Sequence, residues 1–211
     1  MKPTFFQKHP LFKDILSLAS FVAAVVLGTM FLNTYIYRSY NVVGPSMKNT
    51  FQNDDRVIVN RLAVSLAHFA GQEYIPERGQ VIVFANGASS GPLTCDAPSD
   101  IADQYIIKRV IAFPGERVVV KDGVMTVYNS EYPEGHNYDE EWRESEEVGP
   151  KAYTSGTVDM IVPEGELFVS GDNREGQNSY DSRSGLGTIP FCRIMGPVVF
   201  RLTPFDKMRF F

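Results

Sequence analysis

The sequence predicts a mainly β protein, with a single N-terminal transmembrane helix followed by an all-β domain of antiparallel sheets. Three observations carry this reading. The run Ile15–Tyr37 has no charge between Asp14 and Arg38. Behind it, short β-branched runs alternate with Gly, Pro, Asn and Asp. No second apolar run of comparable length follows. A chain of 211 residues has room for one domain and an anchor.

The anchor comes first in the chain. ILSLASFVAAVVLGTMFLNTYIY would be roughly 34 Å long as a helix, enough to cross a bilayer core of about 30 Å. A cleavable signal peptide has a shorter apolar region, usually about 7–15 residues, before a small-x-small site. This run is longer and ends in Asn-Thr-Tyr-Ile-Tyr-Arg, with interfacial aromatics where a cleavage site would stand. It has no polar face to meet water, unlike a core helix of a soluble domain. Lys2, Lys8 and Lys13 precede it and only Arg38 stands close behind. The positive-inside rule then makes residues 1–14 cytoplasmic, 15–37 the span, and 38–211 an extracytoplasmic domain.

In that domain the expected strands are Arg56–Asn60, Gln80–Phe84, Tyr105–Ala112, Arg117–Val120, Val124–Tyr128, Glu166–Val169 and Val198–Leu202. Lys121-Asp122-Gly123 between two of them reads as a tight hairpin turn. Arg61–Ala70 fits a helical turn or a continued strand equally. Residues 129–157 are polar, acidic and poor in β-branched side chains, and read as a solvated insertion. The closing run Gly196–Phe205 is a strand ending at a proline.

Composition narrows the function. Hydrophobic residues make up 44% and charged residues 21%, so a packed core is expected. The formal charge is −5, and Asp139–Glu147, with six acids and one arginine, accounts for all of it. The remainder is near neutral and offers no basic face for nucleic acid. Cys95 and Cys192 form no CxxC motif, and their spacing does not decide whether they pair. His9, His68 and His136 are scattered, with no metal-ligand spacing such as HExxH. No metal or organic cofactor is expected.

Three segments carry chemistry. In Val42-Val43-Gly44-Pro45-Ser46-Met47 a serine sits where the chain turns. In Gln104–Val118, QYIIKRVIAFPGERV, Lys108 lies within an apolar run. Period 2 places Lys108 with Ile106 and Val110, and Arg109 with Tyr105 and Ile107. One of the two cations must therefore point inward, or both faces must be partly wet. In Gly171–Pro190, GDNREGQNSYDSRSGLGTIP, a loop rich in turn residues holds Asp172 and Asp181, which have Arg109, Arg174 and Arg183 as possible partners. The acid spacing does not fit a calcium loop.

Together these segments resemble the type I signal peptidases, membrane-anchored serine–lysine proteases that cut signal peptides from exported proteins. The likeness rests on GPSM at 44–47, DRVIVNRLA at 55–63, YIIKRVIAFPGERV at 105–118 and GDNR…DSR…G at 171–185, in family order behind the anchor. It implies a signal-peptidase-like β domain. Ser46 matches the nucleophile and Lys108 the general base. Ser179 resembles the serine that hydrogen-bonds that lysine, and Gly171 the glycine that lets the loop approach it. Asp181 with Arg183, and Asp172 with Arg109, resemble supporting ion pairs. Tyr40, Val42, Val43, Met47, Phe51, Ile106 and Ile107 correspond to walls of the substrate pockets. The resemblance further implies small residues at substrate positions −1 and −3. The implied partners are preprotein signal peptides, the lipid bilayer and the export translocon; bacterial members fit better than organellar ones.

Three positions depart from the family pattern. Asn49 stands where members often have proline after the nucleophile. Gly44 stands where some members have a serine that completes the oxyanion hole. The loop between GDNR and DSR is two residues longer than the common form.

The chemistry is self-consistent. A serine hydroxyl needs a base, and no histidine is placed to serve. At a reference pKa of about 10.4 only roughly 0.04% of a lysine is neutral at pH 7, whereas a pKa of about 8 raises this to roughly 10%. Burial among apolar side chains makes that shift, provided nearby carboxylates are paired elsewhere. Other readings are a specialised single-substrate protease of the same kind, a self-cleaving repressor, or a catalytically silent membrane-tethered binding module. The repressor would need a DNA-binding module where the apolar helix stands.

Overall fold

The computed structural model describes residues 10–86, 94–95, 105–145 and 153–211. Helix α1 spans Pro10–Phe31 and continues as a π-helical turn over Leu32–Ile36. Proline at the start of a helix loses no hydrogen bond, because the first N–H groups have no partner in any case. Within Leu11–Ile36 an 18-residue window reaches a mean hydropathy of 2.4, and this is the one helix among the described residues long and apolar enough to cross a membrane. Two of its hydroxyls are satisfied within the helix: Ser20 Oγ donates to Leu16 O and Thr29 Oγ1 to Val25 O, both at 2.8 Å.

The helical segment ends at Ile36, one residue before the expected end of the span. Tyr37 already belongs to strand β1, Tyr37–Asn41, which pairs antiparallel with β2, Arg56–Asn60, from Tyr37↔Asn60 to Asn41↔Arg56. Its aromatic character suits an interface as well as a strand, and only the pairing partner decides between them.

The open segment 61–70 is a helix, α2, Leu62–Phe69. Asn60 Oδ1 accepts the Leu62 N–H at its start, and Gly71, at φ 68°, ends it. No residue of α2 is buried. It is tied to the exit of α1 by Arg61 N–H to Ile36 O at 2.7 Å and Ser65 Oγ to Tyr35 O at 3.0 Å.

Strands β3 (Val81–Ala85), β4 (Tyr105–Ala112), β5 (Arg117–Lys121) and β6 (Val124–Tyr128) lie within a residue of their expected bounds. The β5–β6 turn has Asp122 at φ 51° and Gly123 at φ 85°, as a primed hairpin turn requires. Then come helix α3, Tyr138–Ser145, and strands β7 (Val158–Ile161), β8 (Glu166–Ser170), β9 (Ile189–Pro190), β10 (Ile194–Thr203) and β11 (Arg209–Phe210). The large antiparallel sheet runs β1-β2-β10-β3-β4-β8-β9, with β11 added to β10; a smaller sheet runs β6-β5-β7.

The core explains this order. Strand β3 is buried along its whole length. Val81 and Val83 face a cluster with Val42, Met47, Phe51, Val57, Val59 and Val198. Ile82 and Phe84 face another with Val110, Leu167, Val169, Ile189 and Ile194. A strand between two apolar layers reads as a continuous hydrophobic run, as VIVFA does.

The solvated reading of residues 129–157 is corrected for the part described. Tyr138 and Trp142 of α3 pack on the cluster beneath the small sheet, and Asp139 is buried. Asn137 Oδ1 accepts the Asp139 N–H at the helix start, where the acids of the first turn oppose the helix dipole favourably. Residues 146–152 of that stretch, and residues 1–9 of the expected cytoplasmic segment, lie outside the described residues. Cys95 and Cys192 form a disulfide, which settles the pairing that spacing left open.

Candidate active site

Ser46 sits on the turn between β1 and β2. Gly44 adopts φ 90°, and its N–H donates to Asn53 Oδ1 at 2.9 Å. Lys48 N–H returns to Pro45 O at 3.0 Å. Asn49 adopts φ 105°, a conformation closed to proline. The turn after Ser46 therefore closes through Thr50 and Phe51 N–H groups on Met47 O.

Strand β4 brings Lys108 to this turn. Lys108 Nζ lies 2.7 Å from Ser46 Oγ and 2.7 Å from Ile107 O. As an ammonium it donates to both; as a neutral amine it accepts the Ser46 proton. Lys108 is 3% exposed and Arg109 1%, so the choice posed by alternation is resolved with both cations inside. Each escapes its strand face differently. Lys108 reaches the serine, while Arg109 makes a bidentate pair with Asp172, Nε–Oδ1 and Nη2–Oδ2 both 2.8 Å. Burial brings the Lys108 pKa down to about 8, against the opposing pull of Asp181 and Asp172. That pull is weakened because both acids are engaged with arginines. Asp181 pairs with Arg183, Nη2–Oδ2 2.8 Å and Nε–Oδ1 3.1 Å. Burial pushes both carboxyls up, and the arginines overcome it, holding Asp172 and Asp181 below the usual carboxylate range.

The Gly171–Arg174 loop clamps the nucleophile turn. Asn173 N–H donates to Ser46 O at 3.0 Å and Asn173 Nδ2 to Pro45 O at 3.1 Å. Thr50 Oγ1 donates to Asp172 Oδ2. A Cβ at Gly171 would stand 2.3 Å from Ser179 Oγ and 2.4 Å from Ser46 O, so only glycine fits. The close approach is to Ser46 and Ser179 rather than to the lysine. The Ser179 hydroxyl is buried beside Asp181, whose carboxyl it helps to hold down, and the expected bond to Lys108 is not made.

Beside the serine lies a cleft of about 240 Å³, lined by Tyr40, Asn41, Val42, Val43, Ser46, Val57, Val83, Tyr105, Ile106, Ile107, Lys108 and Tyr180. Five of the seven expected wall residues are there. Met47 and Phe51 are not: both are fully buried in the core behind the turn, where Phe51 packs against Phe211. Being apolar and adjacent to the nucleophile does not distinguish a wall from the layer beneath it. Residues that sequence reasoning passed over include Val57 and Val83, Tyr105, Thr50 and Asn173. Both valines are themselves core residues of β2 and β3 that also line the cleft, so composition alone does not separate them from the rest of the core. Among the described residues no three His, Cys, Asp or Glu side chains are grouped to hold a metal ion.

Residues 15–203 match the family model of signal peptidase, peptidase S26. The chain belongs to this family. It is 30% identical to signal peptidase I of Bacillus licheniformis over 96% of this chain and 94% of that one. It is 31% identical to signal peptidase I T of Bacillus subtilis strain 168, over 89% and 85%. A solved signal peptidase I from Enterococcus faecalis V583 is 26% identical, covering 58% of this chain and 96% of its own, with a TM-score of 0.38. The S26 signal peptidases are proteases of signal-peptide processing, and the apolar N-terminal helix of this member fits a membrane-anchored protein.

Proposed function

We propose that this signal peptidase is a serine endopeptidase of the signal peptidase I type. In this reading it cleaves preproteins at the outer membrane surface by acyl transfer through Ser46 and Lys108. The observation that carries the reading is the 2.7 Å contact between the Ser46 hydroxyl and a buried lysine nitrogen whose pKa is about 8. At pH 7 such a lysine is roughly 10% neutral, a usable fraction of base.

Neutral Lys108 takes the Ser46 proton as Oγ bonds to the scissile carbonyl carbon. The resulting ammonium returns that proton to the leaving amine as the C–N bond breaks. Water then attacks the ester, giving up a proton to Lys108, and Ser46 is released with its hydroxyl restored. The Ser46 N–H is the oxyanion donor available on the turn. Gly44 offers no hydroxyl, and its N–H is already donated to Asn53.

Sheet geometry supports an extended substrate. Strand β8 pairs with β4 only from Arg109 onward, whereas β3 pairs with it from Tyr105. Tyr105–Lys108 thus present one edge that no described strand covers, beside the cleft. A peptide laid there would pair through its backbone and put alternate side chains into the cleft. The small cleft volume suits short side chains at −1 and −3.

The flanking lysines place the N-terminus in the cytoplasm and the β domain outside. Exposed Leu66 and Phe69 on α2, joined to the exit of α1, suit a domain held against the bilayer, where signal peptides leave the export translocon. The anchor then raises the local concentration of cleavage sites. The test compares full-length wild type, Ser46→Ala and Lys108→Ala in detergent on a synthetic signal peptide. Cleavage by wild type alone supports the dyad. Equal cleavage by all three removes it, and no cleavage by wild type on several signal peptides favours a silent binding module.

A further inference from the structure

The acidic helix α3 reaches the nucleophile through a chain of buried polar contacts. Arg174 is fully buried, and its two Nη atoms hold both carboxylate oxygens of Asp139, with Nη2–Oδ1 at 2.8 Å. The third guanidinium donor, Nε, turns back to Gly171 O at 2.7 Å. The loop 171–174 is thereby closed on itself by the same side chain that Asp139 orients. Both ends of that closed loop bear on the serine. Gly171 packs against Ser46 O with no room for a methyl group, and the Asn173 N–H donates to the same oxygen. The Arg174 carbonyl is in turn held by Ser155 N–H at 2.9 Å and Arg183 Nη1 at 3.0 Å, so the loop is braced from the far side as well.

A guanidinium with three aimed donors keeps its direction only while its carboxylate partner stays fixed. Charge-assisted bidentate pairs set geometry as well as energy. We infer that Asp139 is a positioning residue for catalysis: through Arg174 it sets the 171–174 loop against the Ser46 turn, and so the Ser46–Lys108 alignment. This rests on the dyad reading above. A single buried acid of an acidic helix would then be part of the catalytic support, touching neither substrate nor the reacting atoms.

The test uses full-length protein in detergent, with kcat, KM and thermal unfolding measured for each variant and Ser46→Ala as the control. Asp139→Asn keeps the shape and loses the charge. Its kcat should fall about 10- to 100-fold with KM within about twofold, the scale expected of a misalignment near 1 Å. Asp139→Glu should recover part of the loss. The double variant Asp139→Leu/Arg174→Met removes both charges together. It should unfold near the wild-type temperature but keep the low kcat, because Gly171 O has lost its donor. A double variant that regains both stability and kcat would reduce the pair to a structural brace and overturn the proposal. Wild-type kcat in Asp139→Asn beside an inactive Ser46→Ala would overturn it alone. Cleavage persisting in Ser46→Ala would overturn the dyad and this inference with it.

Discussion

Replacing Gly171 with alanine should disable the enzyme with only moderate loss of stability. The residue's φ is not in the left-handed region, so the backbone itself tolerates alanine, and the effect is one of space. The added Cβ would meet Ser179 Oγ at 2.3 Å, Ser46 O at 2.4 Å and Ser179 Cβ at 2.9 Å. Relief to ordinary contact distance requires movement of about 1 Å, and over-packing of this kind costs about 1–3 kcal/mol. Ser179 Oγ is the end of a short side chain and can rotate away, giving up only its weak interaction with Asp181. Ser46 O is backbone, already bonded to Asn173 N–H, and moves only with the nucleophile turn. A displacement near 1 Å between reacting groups lowers turnover by about 100-fold. The assay is kcat on a synthetic signal peptide, read beside the thermal midpoint. The double variant Gly171→Ala/Ser179→Gly removes the serine clash but keeps the one with Ser46 O. It should recover stability and leave kcat low. Wild-type turnover in Gly171→Ala would refute the close packing of this loop on the nucleophile.

Activity should rise with pH along a limb near 8, gaining roughly tenfold in kcat/KM between pH 7 and 9 as Lys108 loses its proton. The sign for stability is the same: the unfolded chain binds this proton more tightly, so folding stability gained from this group increases from about pH 8 to about 10.5. Lys108→Met should therefore be inactive yet more stable than wild type at pH 7, by up to about 3 kcal/mol in a denaturant titration. A less stable variant would show the ammonium to be well accommodated. Asp172→Ala leaves the Arg109 guanidinium buried without its carboxylate and should cost about 3–5 kcal/mol, seen as a lower thermal midpoint. Reducing Cys95–Cys192, which closes a loop with a sequence separation of 97, should lower stability by up to about 4–5 kcal/mol. Turnover in the folded state should persist, since neither cysteine lines the cleft.

Much of the site could be read before any coordinates. Lys108 and Arg109 stood out as two adjacent cations in an otherwise apolar β run, and the resemblance to signal peptidases implied the role of the first and Asp172 as the partner of the second. Strands β4 and β6 were bounded by alternation and by the turn residues between them. What could not be read depends on contacts distant in sequence. Asp139 looks like any acid of its stretch, and only the arrival of Arg174 from 35 residues away makes it a buried partner. Met47 and Phe51 share the composition of wall residues but are buried in the layer below, with Val57, Val59, Val81 and Val83. Ser179 keeps its spacing to Asp181, yet spacing does not determine the direction of a hydroxyl. The end of the anchor escaped because Tyr37, whose N–H still closes the π turn on Leu32 O, already stands in strand register with Asn60, a partner that hydropathy does not reveal.

The most direct measurement is a titration of the Lys108 amine itself by nitrogen NMR on lysine-labelled full-length protein, assigned with Lys108→Arg. A midpoint near 8 is the expected result. A midpoint near 10 would mean an amine still charged at the pH of catalysis, and Ser46 would then have no base.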